Sequence, residues 1–133
     1  MENPEQELTF KFQMLEQQIM AIQQQLQAVE QTLIDMTSLN LGLDEIKTNS
    51  EILAPVGAGI FAKAKLISEE LVVGVGEKNY IKKSIPETKK LIQEQIIKLG
   101  KAKEELNNEL EKINEEITRI MIEYQGRVDG EKR

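Results

Sequence analysis

Hydrophobic residues recur in alternating steps of four and three along both ends of this chain. The first run begins at Leu8 and ends at Leu43, and the second begins at Ile92 and ends at Tyr124. This spacing keeps one apolar seam on one side of an α-helix, as in the heptad repeat of coiled coils. The seam positions are Leu8, Phe12, Leu15, Ile19, Ile22, Leu26, Val29, Leu33, Met36, Asn40 and Leu43, then Ile92, Ile96, Leu99, Lys103, Leu106, Leu110, Ile113, Ile117, Ile120 and Tyr124.

Two helices of similar length on one chain bury such seams by folding back against each other or by meeting other chains. We expect the first helix over about residues 8–46 and the second over about residues 85–125, with a loose polar tail from Gly126. Ser84 and Glu87 form a capping-box pattern at the start of the second helix. The pattern therefore predicts an antiparallel two-helix coiled coil.

Polar residues occupy two of the seam positions, Asn40 and Lys103. Two interpretations stay open for Asn40: it selects a register or a partner, as polar seam residues do in other coiled coils, or the seam ends there. Lys103 is expected to lay its aliphatic stem along the seam and to place its amine in solvent or opposite a carboxylate.

The hydrophobic period changes from that of a helix to two residues in the middle of the chain. Short apolar segments separated by Gly-containing turns cover residues 51–56, 60–67, 71–76 and 79–84. A period of two with β-branched residues predicts strands, and the short connections predict two consecutive β-hairpins. Hairpins of this size are marginal alone and leave strand edges open. We therefore expect an α+β chain that forms an oligomer through its hairpins.

Composition narrows the classes of function. The 133 residues suit one domain over residues 1–133, and the chain has no Cys and no His, which removes the usual nucleophiles, bases and zinc ligands. We therefore expect neither an enzyme nor a bound cofactor or metal. The formal net charge of −6 argues against a nucleic-acid partner. The acidic, polar start does not resemble a signal peptide, and no apolar run approaches a membrane span, so we expect a cytoplasmic protein without membrane contact.

One segment matches a nucleotide-binding motif by its letters alone. Residues 57–62 read Gly-Ala-Gly-Ile-Phe-Ala, which fits G-x-G-x-x-G/A. That motif binds a pyrophosphate only where a helix begins after the glycines. Here a strand is expected to follow, so the glycines are interpreted as turn residues.

Several apolar residues lie outside the seam where the first helix begins and the second ends. Phe10, Met14, Met121 and Ile122 do not fit the seam, and Leu8 and Val128 are close to them in sequence. Such residues form an apolar surface that holds segments of other proteins, or they widen the seam, or they are incidental surface residues. We call these six residues the tip set and predict that they bind apolar segments of other proteins.

The hairpin segment carries a resemblance to a known family. Residues 52–64, Ile-Leu-Ala-Pro-Val-Gly-Ala-Gly-Ile-Phe-Ala-Lys-Ala, followed by Val-Val-Gly-Val-Gly at 72–76, resemble the alpha subunits of archaeal prefoldin. The order of helix, two hairpins and helix extends the resemblance over essentially the whole chain.

The resemblance implies a hexamer of two alpha and four beta subunits whose hairpins form a double β-barrel platform. It also implies ATP-independent capture of unfolded proteins at the coiled-coil ends and their delivery to a group II chaperonin. Assembly would then depend on apolar hairpin residues, namely Val56, Ile60, Phe61, Val73 and Val75. The alternative function is a coiled-coil tether or scaffold subunit that binds no client.

Overall fold

The fold is α+β, with two long helices and two small antiparallel sheets. The structure is a computed structural model that describes the backbone of residues 4–131 and the side chains of residues 4–127. The elements are α1 (Pro4–Gly42), a 3₁₀ turn (Leu43–Glu45), β1 (Glu51–Gly57), β2 (Ile60–Lys65), β3 (Leu71–Gly76), β4 (Asn79–Lys83) and α2 (Ile85–Glu131). In this part of the chain, no helix combines the length and the apolar content needed to cross a bilayer.

The chain divides into two compact units, which we describe separately. The helical unit comprises Met1–Thr32 and Leu99–Arg133, and the hairpin unit comprises Leu33–Lys98. Each long helix contributes residues to both units.

In each unit, the seam positions form a narrow apolar core. Every seam position from Leu8 to Leu43, on α1 and the 3₁₀ turn, is buried or half-buried, and so is every one on α2 from Ile92 to Ile120. Tyr124, the last seam position in the sequence pattern, is instead 42% exposed. The five most buried side chains are Leu15, Ile22, Leu43, Ile92 and Ile120. The heptad prediction is thus confirmed over all but its last position.

Both ends of α1 lie about four residues before the expected bounds of 8–46, and α2 extends about six residues beyond its expected end at 125. α1 begins at Pro4, where the fixed φ of proline suits a first turn, and it ends at Gly42. α2 continues to Glu131 through Gly126 and Gly130, so the loose tail expected from Gly126 is wrong. A glycine costs a helix only about 1 kcal/mol relative to alanine, and the Glu, Gln and Arg residues around these two are good helix formers.

Ser84 starts α2 in the manner that the sequence predicts. Its Oγ accepts a hydrogen bond from the backbone N–H of Glu87 at 3.2 Å. Its carbonyl accepts bonds from the N–H of Thr88 at 3.1 Å and from the Thr88 hydroxyl at 2.9 Å. A capping side chain satisfies one of the N–H groups that the first turn of a helix leaves without a partner.

The two hairpins have the same construction. β1 pairs with β2 and β3 pairs with β4, each antiparallel, and one extra residue bulges out just before each turn. The extra residue is Val56 in the first hairpin and Val75 in the second. Both are followed by a glycine with positive φ, 141° at Gly57 and 107° at Gly76, a conformation that side chains resist.

Each turn then uses two residues with positive φ. These are Ala58 and Gly59 in the first hairpin and Glu77 and Lys78 in the second. Two positive φ values are typical of type I′ turns, whose twist matches that of the flanking strands. The glycines of the nucleotide-like motif therefore lie in a hairpin turn, and β2 follows them where that motif needs a helix.

Candidate functional site

The helical unit exposes most of the tip set. Phe10 is 62% exposed and Ile122 is 66% exposed, and Met14 and Met121 are also exposed. Leu8 is half-buried because it occupies a seam position. The backbone of Val128 belongs to α2, but its side chain lies outside the described ones.

An ion pair shows how the two helices align within this unit. Lys103 Nζ lies 3.6 Å from Glu30 Oε1, so the amine of this seam lysine is opposite a carboxylate, one of its two expected placements. In an antiparallel helix pair, residues lie opposite each other when they are the same number of positions before one aligned residue and after the other. Met14 and Phe10 lie 16 and 20 positions before Glu30, and Arg119 and Glu123 lie 16 and 20 positions after Lys103. The exposed tip residues of the two helices are therefore at the same level.

The four exposed residues of the tip set form an apolar surface. Phe10 and Met14 are one helical turn apart, and Met121 and Ile122 are consecutive on α2. Methionine side chains are flexible and polarisable, so a surface that contains them adapts to varied apolar partners. Exposed apolar side chains grouped in this way are typical of a binding surface for segments of other proteins.

The hairpin unit exposes a second apolar surface. Four of the five residues predicted for assembly are exposed, with Val56 at 70% and Ile60, Phe61 and Val75 above half. The fifth, Val73, is half-buried. Each of the four strands has a hydrogen-bonded neighbour on one side only, so each keeps an open edge among the described residues. Apolar side chains beside open strand edges are features of a sheet that is completed by another chain.

Tyr80 belongs to this surface, although the sequence reasoning did not select it. The segments 56–61 and 75–80 both read Val-Gly, three variable residues, then an aromatic residue, so Tyr80 corresponds to Phe61. Both rings are exposed. Tyr80 lies opposite Gly74 in the ladder, and a Cβ built on Gly74 would contact the tyrosine ring at 3.4 Å. Because the ring covers the glycine, it stays close to the sheet. The repeated motif is the signal that reveals it.

Comparison with known proteins agrees with these features. The prefoldin subunit family matches residues 13–129 of the chain. Prefoldin subunit alpha 1 of Methanocaldococcus jannaschii is 30% identical over 128 residues, which cover 94% of this chain and 90% of that protein. Prefoldin subunit alpha of Methanococcus vannielii is 28% identical over 126 residues, which cover 92% of this chain and 86% of that protein.

A solved structure shares the fold. One chain of a filamentous PFD from Methanocaldococcus jannaschii, determined by cryo-EM, is similar with a TM-score of 0.72 and 19% sequence identity. The alignment covers 84% of this chain and 96% of that one.

Two long helices joined by a pair of β-hairpins, with open strand edges and apolar hairpin surface, define a coiled-coil subunit of a larger assembly. The chain belongs to the prefoldin family. Prefoldins are a family of chaperone subunits.

Proposed function

We propose that this chain is the alpha subunit of an ATP-independent chaperone that holds unfolded proteins at its tip set. The observation that carries the proposal is the exposure of Phe10, Met14, Met121 and Ile122 at one level of the helical unit, outside the seam that stabilises the helix pair. These side chains are not needed for the coiled coil, so their apolar surface is free for a client.

Each tip surface is small, and the strength of capture comes from their number. A few exposed side chains bind an unfolded segment weakly, because most of the apolar gain is offset by the entropy of ordering the client. Several such surfaces on one complex turn the later contacts into intramolecular ones, which raises the overall affinity by orders of magnitude. Release then needs no ATP, because each contact opens and closes quickly.

Assembly with other subunits brings several tip surfaces together in one complex. The open strand edges and the apolar hairpin residues support pairing with other prefoldin subunits. The family resemblance supports beta subunits as partners, in a hexamer of two alpha and four beta chains whose hairpins close into a β-barrel platform. On the same basis we propose a cytoplasmic complex that passes its clients to a group II chaperonin.

An aggregation assay tests the proposal. A denatured test protein is diluted into buffer without ATP, in the presence of the complex formed with a beta-type prefoldin subunit, and its light scattering is followed. A variant with Phe10, Met14, Met121 and Ile122 all changed to Gln is expected to assemble normally and to lose most of its suppression of aggregation. Glutamine keeps helix propensity high, so the helices remain intact.

Met20→Gln is the matched control. Met20 is 60% exposed on α1, the helix that carries Phe10 and Met14, but it lies outside the tip set. This variant is expected to suppress aggregation as well as the unchanged complex. If neither the unchanged complex nor the tip variant suppresses aggregation while both assemble, the chain is a tether or scaffold subunit and the chaperone proposal is wrong.

A further inference from the structure

A groove on one flank of the helical unit lies outside the tip set. Its lining residues come from both helices: Gln18, Ala21 and Ile22 from α1, and Glu109, Lys112 and Ile113 from α2. Ile22 and Ile113 are seam residues, and they form an apolar floor. The floor is reachable because the neighbouring residue at the rim, Ala21, is small. The groove holds about 410 Å³, enough for a few side chains.

One cation, Lys112, lines this groove beside Glu109, but the stretch of α2 around the groove is strongly acidic. Residues 104–116 of α2 carry six glutamates and one lysine, whereas residues 17–29 of α1 carry no charged residue at all. Counting from the Glu30–Lys103 ion pair, these two segments are opposed in the antiparallel helix pair. Glu109 and Glu116 occupy equivalent heptad positions on the flank that contains the groove. The negative charge here is therefore not balanced across the helix pair.

We propose that this groove binds segments of unfolded clients that carry apolar residues next to Lys or Arg. An apolar client side chain rests on Ile22 and Ile113 beside Ala21, and a neighbouring cation pairs with Glu109 or Glu116. Burial of the apolar side chain supplies affinity, and the excess of carboxylates over the single cation Lys112 selects for positive charge and speeds the encounter. The inference rests on the proposed client capture and adds a second contact with its own preference.

Fluorescence anisotropy of labelled peptides tests the inference on the complex formed with a beta-type subunit. Three synthetic 12-residue peptides with the same leucines are used, and their intervening residues are all Lys, all Gln or all Glu. The Lys peptide is expected to bind about tenfold more tightly than the Gln peptide at low salt, since two exposed ion pairs of ordinary strength give about that factor. The preference should shrink as salt is raised.

Two pairs of variants locate the site. Glu109→Gln with Glu116→Gln should remove most of the preference for the Lys peptide, whereas Glu111→Gln with Glu115→Gln should keep it, because Glu111 and Glu115 lie beside another groove of α2. Ala21→Gln should cover the groove floor and weaken the Lys peptide about tenfold. Ala28→Gln, at the equivalent position one heptad further, should leave binding unchanged.

Distinct outcomes separate this inference from the proposed function. The groove proposal would be wrong if the Lys and Gln peptides bound equally. It would also be wrong if the two double glutamate variants lost the same amount of preference for the Lys peptide. Neither result would contradict client capture by the tip set. Loss of all peptide binding in the fourfold tip variant would also overturn the groove proposal, because the groove would then hold nothing alone. A complex that suppresses no aggregation and binds none of the peptides would overturn both proposals.

Discussion

The two units of this chain differ in where they place charge and apolar surface. The hairpin unit has nine acidic and nine basic residues, so its formal charge is zero, and the helical unit carries the whole net charge of −6. Of the exposed large hydrophobic side chains that the structure describes, fifteen belong to the hairpin unit and six to the helical unit.

This difference indicates that the exposed apolar side chains of the two units serve different kinds of contact. A neutral unit rich in exposed apolar side chains and open strand edges is suited to permanent burial against other subunits. An acidic unit with a few grouped apolar side chains resists self-association through like-charge repulsion, yet still offers contacts to transient partners. The same apolar residue type therefore has a different role in each unit, and the predictions below test that distinction.

The largest effect is expected from charge placed on the hairpin bulges. Val56→Glu combined with Val75→Glu should abolish assembly with the beta-type subunit, because each glutamate would be buried without a partner, at a cost of several kcal/mol. Size-exclusion chromatography with light scattering measures the mass of the complex, and far-UV circular dichroism checks that the helices persist.

Met20→Glu is the control for that prediction. Met20 is exposed to a similar extent but belongs to the helical unit. We expect Met20→Glu to leave the mass of the complex unchanged. If the bulge variant assembles normally, the apolar surface of the hairpin unit is not an assembly surface and the contrast between the units fails.

The sequence predicts the parts of the fold that depend on a repeated pattern. The seam from Leu8 to Ile120 follows from its 4-3 spacing, because a helix that buries one side needs apolar residues at that period. The exposure of Phe10 and Ile122 follows from the same spacing, since both lie outside it. The hairpin turns are predicted by glycine-containing segments between runs in which the hydrophobic period is two residues.

Other features of the fold could not be predicted, because they depend on small differences in helix stability or on which strand residues pair. One such feature is that α2 continues through Gly126. A glycine costs a helix about 1 kcal/mol, and the helix formers around Gly126 outweigh that cost. The bulges at Val56 and Val75 are another, because they become visible only when the strand register is known. Tyr80 is different, because the repeated Val-Gly motif that relates it to Phe61 is already present in the sequence. The binding roles of the tip set and of the hairpin residues stay predictions.

A smaller effect is expected at Asn40, a polar residue in the core of the hairpin unit. Its Oδ1 is buried with no hydrogen-bond partner, and the seam continues beyond it to the buried Leu43, so the seam does not end at Asn40. An unsatisfied buried polar group costs about 1–3 kcal/mol. Asn40→Leu should therefore raise the free energy of unfolding by about 1–2 kcal/mol, measured by urea denaturation of the purified chain.

Asn108→Leu serves as the control for Asn40, because Asn108 is exposed on α2 in the helical unit. It should change the free energy of unfolding by less than about 0.5 kcal/mol. A leucine at position 40 that destabilises the chain would show that Asn40 makes a favourable contact in solution, and the interpretation of a stability cost at this position would be wrong.

The smallest effects concern two matched ion pairs, one in each unit. Lys103 pairs with Glu30 in the helical unit, and Lys89 pairs with Asp44 in the hairpin unit; the two pairs occupy the same heptad positions. The four side chains are between 32% and 58% exposed, so each pair should contribute less than about 1 kcal/mol.

The two pairs should nevertheless respond differently when one partner is neutralised. In the acidic helical unit, Lys103→Gln leaves Glu30 among other negative charges, whereas Glu30→Gln relieves repulsion, so the lysine change should cost more by a few tenths of a kcal/mol. In the neutral hairpin unit, Lys89→Gln and Asp44→Gln should cost about the same. Urea denaturation at about 0.01 M and 1 M salt measures this, and high salt should remove the asymmetry because the Debye length falls from about 30 Å to about 3 Å. An equal asymmetry in both units would show that local contacts, and not the net charge of each unit, determine the cost.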